Sequence, residues 1–191
     1  LAVHGVPTGL ADLDWLTRGL LPGAVWVVLG TPGVGRTVLA CQFAGSAAAA
    51  GAETVLLLGR EPVSSATANL LSAQSSVADH HLRAGTLSPD EHARTLAAAT
   101  QLAGWPLRIL TTFDKSWEYS GGVSAPDAAA WLEPDAASSP VLGRVLVIDD
   151  VDLLTSHHPV NVLPRLRTWA QSSGQTIVVT IPEELGLVGD E

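Results

Sequence analysis

Short, continuous apolar runs alternate along this chain with longer segments whose apolar residues recur at helical spacing. The runs cover 24–29, 54–58, 107–110, 144–148 and 176–181. Runs of this kind are typical of strands in a parallel sheet, and we expect the first to be buried on both faces. Helices are predicted over 37–50, 64–74, 89–103 and 162–172. The alternation predicts an α/β fold, with a mainly parallel sheet and helices on both faces.

Local signals define some helices more sharply than others. Ser88-Pro89-Asp90-Glu91 combines a capping serine, a proline at the first helical position and a glutamate at the third. Ser64 or Ser65 is the expected cap of the helix over 64–74. A short amphipathic helix within 8–20 would place three leucines on one side, and the helix over 162–172 would turn four residues inward. These are Leu10, Leu13 and Leu16, then Leu163, Leu166, Trp169 and Ala170.

The length of 191 residues fits one α/β domain, which we expect to span 1–191. Within it, 1–23 forms an opening segment. The stretch 111–143 is rich in Gly, Ser, Pro and Ala, which predicts a flexible insertion with a helix over 125–132. The start at Leu1 suggests that the chain was cut from a longer protein.

Composition limits the cellular location and the binding partners that we expect for this chain. The apolar runs are too short to cross a bilayer, so we expect no membrane partner. A lone Cys41, with no signal-like N-terminus, predicts a cytoplasmic location. The net charge is −9, from 19 acidic residues against 10 Lys and Arg without a basic cluster. Any nucleic-acid contact is therefore expected to be local, or supplied mainly by other subunits or another domain.

The loop after the first predicted strand has the residues of a phosphate-binding loop, the Walker A motif. Gly30-Thr31-Pro32-Gly33-Val34-Gly35-Arg36-Thr37 matches G-x-x-x-x-G-K-[ST], except that arginine stands in place of lysine. Glycines let successive backbone N–H groups face an anion at the positive end of the following helix. We predict nucleotide binding over these eight residues and Val38, with the Thr37 hydroxyl on Mg²⁺. The alternative is a plain glycine turn between strand and helix.

Two acidic positions follow other predicted strands. Val145-Leu146-Val147-Ile148-Asp149-Asp150 ends an apolar strand with acids, and we choose Asp149 to hold Mg²⁺ through water, with Asp150 as second choice. Glu61 follows the strand over 54–58, at the expected sheet edge of the loop. It could orient or deprotonate a water that attacks the γ-phosphate, although a surface glutamate at a strand end is common.

Several of these segments together resemble a known family. Gly5-Val6-Pro7-Thr8-Gly9-Leu10-Ala11-Asp12-Leu13-Asp14, followed by Leu16-Thr17, Gly19-Leu20 and Pro22-Gly23, is similar to the start of the C-terminal motor domain of DnaB-type replicative helicases. His81-Leu82-Arg83-Ala84-Gly85-Thr86-Leu87-Ser88 resembles a segment before the family's next helix. Asp149 and the later pair Leu153-Leu154 also match. The resemblance covers about residues 5–181.

The resemblance implies a RecA-like P-loop ATPase that works as a hexameric ring around single-stranded DNA, with ATP and Mg²⁺ as cofactors. Carried over by position, Arg36 takes the place of the lysine on the β- and γ-phosphates and Thr37 that of the Mg²⁺ ligand. Glu61 takes the place of the catalytic base. Glu61 and Arg36 are thus the candidate catalytic residues.

The chain also departs from the family's pattern. Arg36 replaces lysine, and Thr180-Ile181-Pro182-Glu183-Glu184 has neither the glutamine nor the arginine that the family carries there. We therefore keep three hypotheses. The chain is a DnaB-like helicase motor domain, with catalysis either intact or impaired by these changes; a non-catalytic ATP-binding interaction module; or a RecA/KaiC-like regulatory ATPase.

Overall fold

The computed structural model describes residues 5–111, 143–151 and 159–183. All five predicted strands are present within these ranges. The strands are β1 (Val25–Gly30), β2 (Glu53–Leu58), β3 (Leu107–Thr111), β4 (Arg144–Asp149) and β5 (Thr176–Pro182). The helices are α1 (Ala11–Thr17), α2 (Arg36–Ala49), α3 (Val63–Ser75), α4 (Asp79–Ala84), α5 (Pro89–Leu102) and α6 (Pro159–Ser173). The helix predicted over 125–132 lies outside the described residues.

The strands form one parallel sheet in the order β1-β5-β4-β2-β3. Because every strand runs in the same direction, the loops after all five strands meet at one edge of the sheet. The phosphate-loop sequence follows β1, and Asp149 ends β4. Strand β5 lies between those two strands, so its own end reaches the sheet edge between the loop and Asp149.

Each face of the sheet carries its own apolar core, because successive side chains of a strand point to opposite faces. Along β4, Val145 and Val147 pack in the cluster that includes α2 and α3. Leu146 and Ile148 pack on the other face, in the cluster that includes Leu166 of α6. Of the four α6 residues predicted to point inward, Leu166 and Ala170 are buried in that second cluster, and Leu163 and Trp169 are partly buried and pack against it. The predicted α/β fold with helices on both faces is confirmed.

The prediction that the first strand is buried on both faces is wrong. Among the described residues β1 pairs with β5 alone, so it forms an edge of the sheet. Val27 and Leu29 of β1 remain 39% and 47% exposed. By contrast, every residue of β5 is buried. An apolar run predicts a strand, but its place in the sheet depends on partners that lie far away in sequence.

Of the helix caps predicted for α3 and α5, one is wrong and one is confirmed. The capping box at Ser88 is present, with the hydroxyl accepting from the Glu91 N–H and the Glu91 carboxylate accepting from the Ser88 N–H. The prediction of a serine cap for α3 is wrong, because this helix begins after an extended Pro62. Ser65 lies inside α3, and its hydroxyl accepts a hydrogen bond from Arg83.

Two further features near the N-terminal half differ from expectation. The predicted apolar face of α1 is incomplete, since Leu16 is 70% exposed and Leu10 is 39% exposed. Helix α4 was not predicted; it is only six residues long and ends at a left-handed Gly85. None of the helices in the described part of the chain is long and apolar enough to span a bilayer.

Candidate nucleotide-binding site

The loop between β1 and α2 has the backbone conformation that its glycines allow. Gly33 and Gly35 have φ values of 79° and 101°, in the left-handed region where residues with a side chain are strained. Gly35 is the N-cap of α2, so no side-chain oxygen of the cap residue accepts from the first-turn N–H groups. The first turn of α2 also has no acidic residue. The positive end of this helix therefore faces the loop without a carboxylate of its own.

The structure brings together the two residues predicted to hold Mg²⁺. The Thr37 hydroxyl donates to the Asp149 Oδ2 at 2.8 Å, although the residues are 112 positions apart. The other carboxylate oxygen of Asp149, Oδ1, accepts from the Thr180 hydroxyl at 2.7 Å. Both oxygens of this carboxylate are thus held in place by hydroxyl groups from the loop and from β5.

Asp149 is fully buried, which disfavours its charged form. Burial raises the pKa of its carboxyl above the ordinary value, and the negative charge of Asp150 raises it further. The hydrogen bonds from Thr180 and Thr37 act in the opposite direction, as does the charge of Arg36. A divalent cation at this position would favour the charged carboxylate, because it supplies the positive charge that burial withholds.

Arg36 bends back onto its own loop. One terminal nitrogen donates to the carbonyl oxygen of Gly30, the first residue of the loop. The other donates to Asp150 Oδ1 at 3.0 Å. The Arg36 side chain is 11% exposed, and its buried Nε has no hydrogen-bond partner among the described residues. The cation predicted to contact phosphate is therefore held between the loop and the end of β4.

Asp150 is the common partner of two arginines. Its Oδ2 lies 3.2 Å from the Nε of Arg60, and its side chain is only 6% exposed. The backbone of Asp150 is left-handed, with φ at 54°, and its N–H donates to the Thr180 hydroxyl at 2.8 Å. A non-glycine residue in this conformation at the end of a strand often marks a functional constraint.

Glu61 lies in the loop that follows β2, whose last residue Leu58 is the register partner of Asp149. This loop is thus at the same sheet edge as the end of β4, as the strand order requires. The Glu61 backbone oxygen accepts from the Thr111 hydroxyl at 3.4 Å. Five of the nine residues predicted to bind nucleotide are exposed: Thr31, Pro32, Gly33, Val34 and Val38.

Sequence reasoning missed Thr180 and Arg60. Thr180 is the one residue with a hydroxyl in the run Ile177-Val178-Val179-Thr180-Ile181, a signal that could have drawn attention to it. Arg60 stands directly before Glu61, but a lone arginine at a strand end gives no signal of an ion pair with a residue far along the chain. Asp150 was only the second choice for metal binding, and its link to the arginines is visible only in three dimensions.

The fold is that of a RecA-like ATPase domain. A family model described as "DnaB-like helicase C terminal domain" matches residues 5–118. Since the match covers more than half of the chain, the protein belongs to this family. The suspected resemblance to DnaB-type helicases is confirmed.

Curated relatives agree with this assignment. "Replicative DNA helicase DnaB" of Leifsonia xyli subsp. xyli (strain CTCB07) is 40% identical over 101 residues, which cover 52% of this chain and 22% of the relative. The protein of the same name from Geobacillus stearothermophilus is 28% identical over 102 residues, covering 53% and 22%. The matched part thus spans about a fifth of the length of these relatives.

Solved structures extend the likeness to nearly the whole chain. One, described as an ATPase domain, superposes with a TM-score of 0.80 at 15% identity, covering 95% of this chain and 64% of that one. A structure described as "The Structure Of A DnaB-Like Replicative Helicase And Its Interactions With Primase" gives 0.81 at 15% identity, covering 95% and 44%. At this identity the superpositions establish the fold.

Proposed function

We propose that this chain is the ATP-binding part of a DnaB-like motor domain that couples ATP hydrolysis to translocation on DNA or its unwinding. The observation that carries the proposal is the 2.8 Å contact between the Thr37 hydroxyl and Asp149. It joins the end of the glycine loop to an acid at the end of another strand, which is the pairing that Mg²⁺-dependent phosphate sites require.

The residues present fit a magnesium ion. Mg²⁺ prefers oxygen ligands and keeps several waters, so a hydroxyl and one nearby carboxylate are sufficient protein contacts. Because the Thr37 hydroxyl donates its hydrogen bond to Asp149, its oxygen lone pairs remain available for the cation. Asp149 would hold the ion through water. When bound, Mg²⁺ neutralises charge on the β- and γ-phosphates.

The remaining proposed roles belong to the phosphate-binding loop and to the segment that follows β2. The backbone N–H groups from Gly30 to Val38 would surround the phosphates at the uncapped start of α2. Arg36 would contribute positive charge to the same phosphates. Glu61 would orient or deprotonate the attacking water as a general base.

The family relationship supports wider proposals about assembly. We propose that residues 1–191 form a single RecA-like unit, with 1–23 as its opening segment and 111–143 as an insertion. About half of this chain is similar to proteins described as replicative DNA helicases, at 40% and 28% identity, which supports assembly into a ring of identical subunits around single-stranded DNA. With an acidic net charge of −9, contact with DNA would be local or supplied mainly by other subunits or another domain.

One titration followed by one turnover assay tests the proposal. A fluorescent ATP analogue should bind in the presence of Mg²⁺, and turnover should rise when single-stranded DNA is added. Glu61→Gln should keep nucleotide affinity but lower turnover by about 100- to 10,000-fold, the range for a lost general base. If the analogue does not bind at millimolar concentration, nucleotide binding itself is disproved.

A second candidate function is nucleotide binding without turnover. It is favoured by one observation: the guanidinium of Arg36 is already bonded to Asp150 and to the Gly30 carbonyl. On this hypothesis the wild-type chain binds ATP with negligible turnover, and Arg36→Lys gains activity because a lysine reaches the phosphates without that tether. ATP-dependent assembly with no response to DNA would instead favour a KaiC-like regulatory role.

A further inference from the structure

Helix α4 carries an arginine that reaches the start of α3. Arg83 pairs through Nε with Asp79, four positions earlier on α4, at 2.6 Å. A terminal nitrogen of the same guanidinium donates to the Ser65 hydroxyl at 3.1 Å, and Ser65 is buried in the first turn of α3. Because the guanidinium is a rigid planar fork, contacts at two of its edges restrain both partners. Arg83 therefore ties α4 to the first turn of α3.

That first turn directly follows the segment that carries Glu61, the proposed base, with Pro62 alone between Glu61 and α3. At its other end the segment is held against β4, since the Gly59 N–H donates to the Asp149 carbonyl at 3.0 Å. A Cβ on Gly59 would lie 2.8 Å from that oxygen, so only glycine allows this close approach. Between these ends, the backbone contact of Glu61 with Thr111 is long, at 3.4 Å. The position of Glu61 therefore depends on how firmly the start of α3 is held.

The start of α3 has no cap of its own. The first N–H groups of a helix have no acceptor within the helix, and a capping side chain usually supplies one. The N-cap of α3 is Pro62, which accepts no side-chain hydrogen bond, and the first turn has no acidic residue. A helix start of this kind opens locally more readily than a capped one. The contact from Arg83 to Ser65 supplies a restraint from outside the helix.

Arg83 and Glu61 also lie within electrostatic range of each other. The hydrogen bond to Asp79 raises the pKa of Arg83 above its ordinary value, and the charge of Glu61 adds to this increase. Burial raises the pKa of Cys41 to about 12, and the charge of Glu61 contributes there as well. Cys41 lies on α2, one turn after Thr37. Glu61 is therefore within electrostatic range of Arg83 on one side and of the helix behind the phosphate loop on the other.

We propose that Arg83 is a positioning residue, which acts through Ser65 to hold Glu61 where its carboxylate reaches a water at the terminal phosphate of the nucleotide. This inference rests on the proposed function, because it takes Glu61 as the base. A base must stay within hydrogen-bond reach of the proton that it takes. A displacement of about 1 Å can cost about 100-fold in rate. A contact that restrains the start of α3 therefore contributes to turnover without touching the nucleotide.

Amide hydrogen exchange tests the restraint in the full chain. Exchange over 61–68 is measured by mass spectrometry for Arg83→Gln, for Ser65→Ala and for the matched control Arg94→Gln. Arg94 also pairs with an aspartate four positions earlier, Asp90, and it donates to two backbone carbonyls at the other end of α3. Arg83→Gln and Ser65→Ala should each raise exchange over 61–68 by about two- to tenfold, the range for one lost hydrogen bond. Arg94→Gln should raise exchange at the end of α3 instead.

Turnover tests whether the restraint acts on Glu61. Arg83→Gln should lower turnover about tenfold with the Kd of ATP unchanged, whereas Arg94→Gln should leave both unchanged. Arg83→Lys should recover part of the turnover, because an ammonium group still donates hydrogen bonds. In the Glu61→Gln background, adding Arg83→Gln should cost little further, since both changes act on one group. A purely structural role predicts the same loss with and without the Glu61 carboxylate.

The outcomes separate this inference from the proposed function. If the wild-type chain hydrolyses ATP and Arg83→Gln changes neither the exchange over 61–68 nor the turnover, the positioning role is disproved and the nucleotide site stands. Raised exchange with unchanged turnover also overturns it, as does an equal loss of turnover in the Glu61→Gln background. A wild-type chain that binds ATP without turnover disproves the base itself, and the exchange measurement still decides whether Arg83 restrains this segment. If Arg83→Gln does not fold, Ser65→Ala takes its place in both measurements.

Discussion

Two helices of this protein begin in opposite ways. Helix α5 begins at Ser88 with a complete capping box, Pro89 in its first turn and the acids Asp90 and Glu91 beside its N–H groups. Helix α2 begins at Gly35, a residue without a side chain, and has no acid in its first turn. Both starts have the same unsatisfied N–H groups and the same positive end of the helix dipole. The α5 start is capped by the protein's own hydroxyl and carboxylate, whereas the α2 start has no side-chain cap and no acid in its first turn.

We infer that the α5 start contributes to stability and that the α2 start serves the proposed nucleotide binding. The cap of α5 extends beyond the helix, because the Glu91 carboxylate also accepts from His81 of α4 at 2.7 Å. Its hydrogen bonds are complete without any ligand. The α2 start instead uses a left-handed backbone conformation that glycine adopts without strain, with φ at 101° for Gly35. Glycine loops of this kind let backbone N–H groups face an anion.

The largest effect is expected when α2 receives a carboxylate of its own. Gly35→Asp should abolish nucleotide binding, because a unit charge about 4 Å from a phosphate repels it by about 4 kcal/mol at an effective dielectric constant near 20, roughly a thousandfold in Kd. Gly35→Asn is the matched control, since it imposes the same backbone strain without the charge. Equal loss in both variants would attribute the effect to strain alone. The measurement is a titration with the fluorescent ATP analogue.

The next largest effect is expected at Thr37, two positions after the N-cap of α2. Thr37→Ala removes the hydroxyl that donates to Asp149 at 2.8 Å, and it removes the proposed Mg²⁺ ligand. Mg²⁺-dependent ATP affinity should fall by about 10- to 100-fold, as when a group that orients a metal site is lost. Thr37→Ser keeps the hydroxyl and should retain most of the affinity. An unchanged Mg²⁺ dependence in Thr37→Ala would contradict the assignment.

The same comparison explains which features of the molecule could be predicted from the sequence. The capping box of α5 was predicted residue by residue because both of its hydrogen bonds join Ser88 and Glu91, three positions apart. The glycine loop was recognised for the same reason. The edge position of β1 was not, because it depends on the order of five strands. The cluster of Arg36, Arg60 and Asp150 depends on that order as well, and no local pattern carries it.

Removing the α5 cap should change stability and leave binding alone. Ser88→Ala should lower the free energy of unfolding by about 0.5–2 kcal/mol, the usual range for an N-cap serine, because the Glu91 N–H loses its acceptor. The Kd of ATP should be the same as in the wild-type chain. Chemical denaturation measures the first quantity and nucleotide titration the second. A change in Kd would show that α5 and the nucleotide site are coupled.

The smallest effect is a dependence of stability on pH. The Ser88 N–H, then the contact with His81 and the Ser88 side chain, lower the pKa of Glu91 from 4.5 to about 2. A carboxyl whose pKa is lowered by folding stabilises the folded state only where it is charged. This contribution is fully present above about pH 5 and is lost as the pH falls toward 2. Glu91→Gln has no such titration, so its stability should fall less steeply than that of the wild-type chain over this range. Parallel stability curves for the two proteins between pH 5 and pH 2, measured by denaturation at each pH, would show that the α5 start does not depend on its own carboxylate.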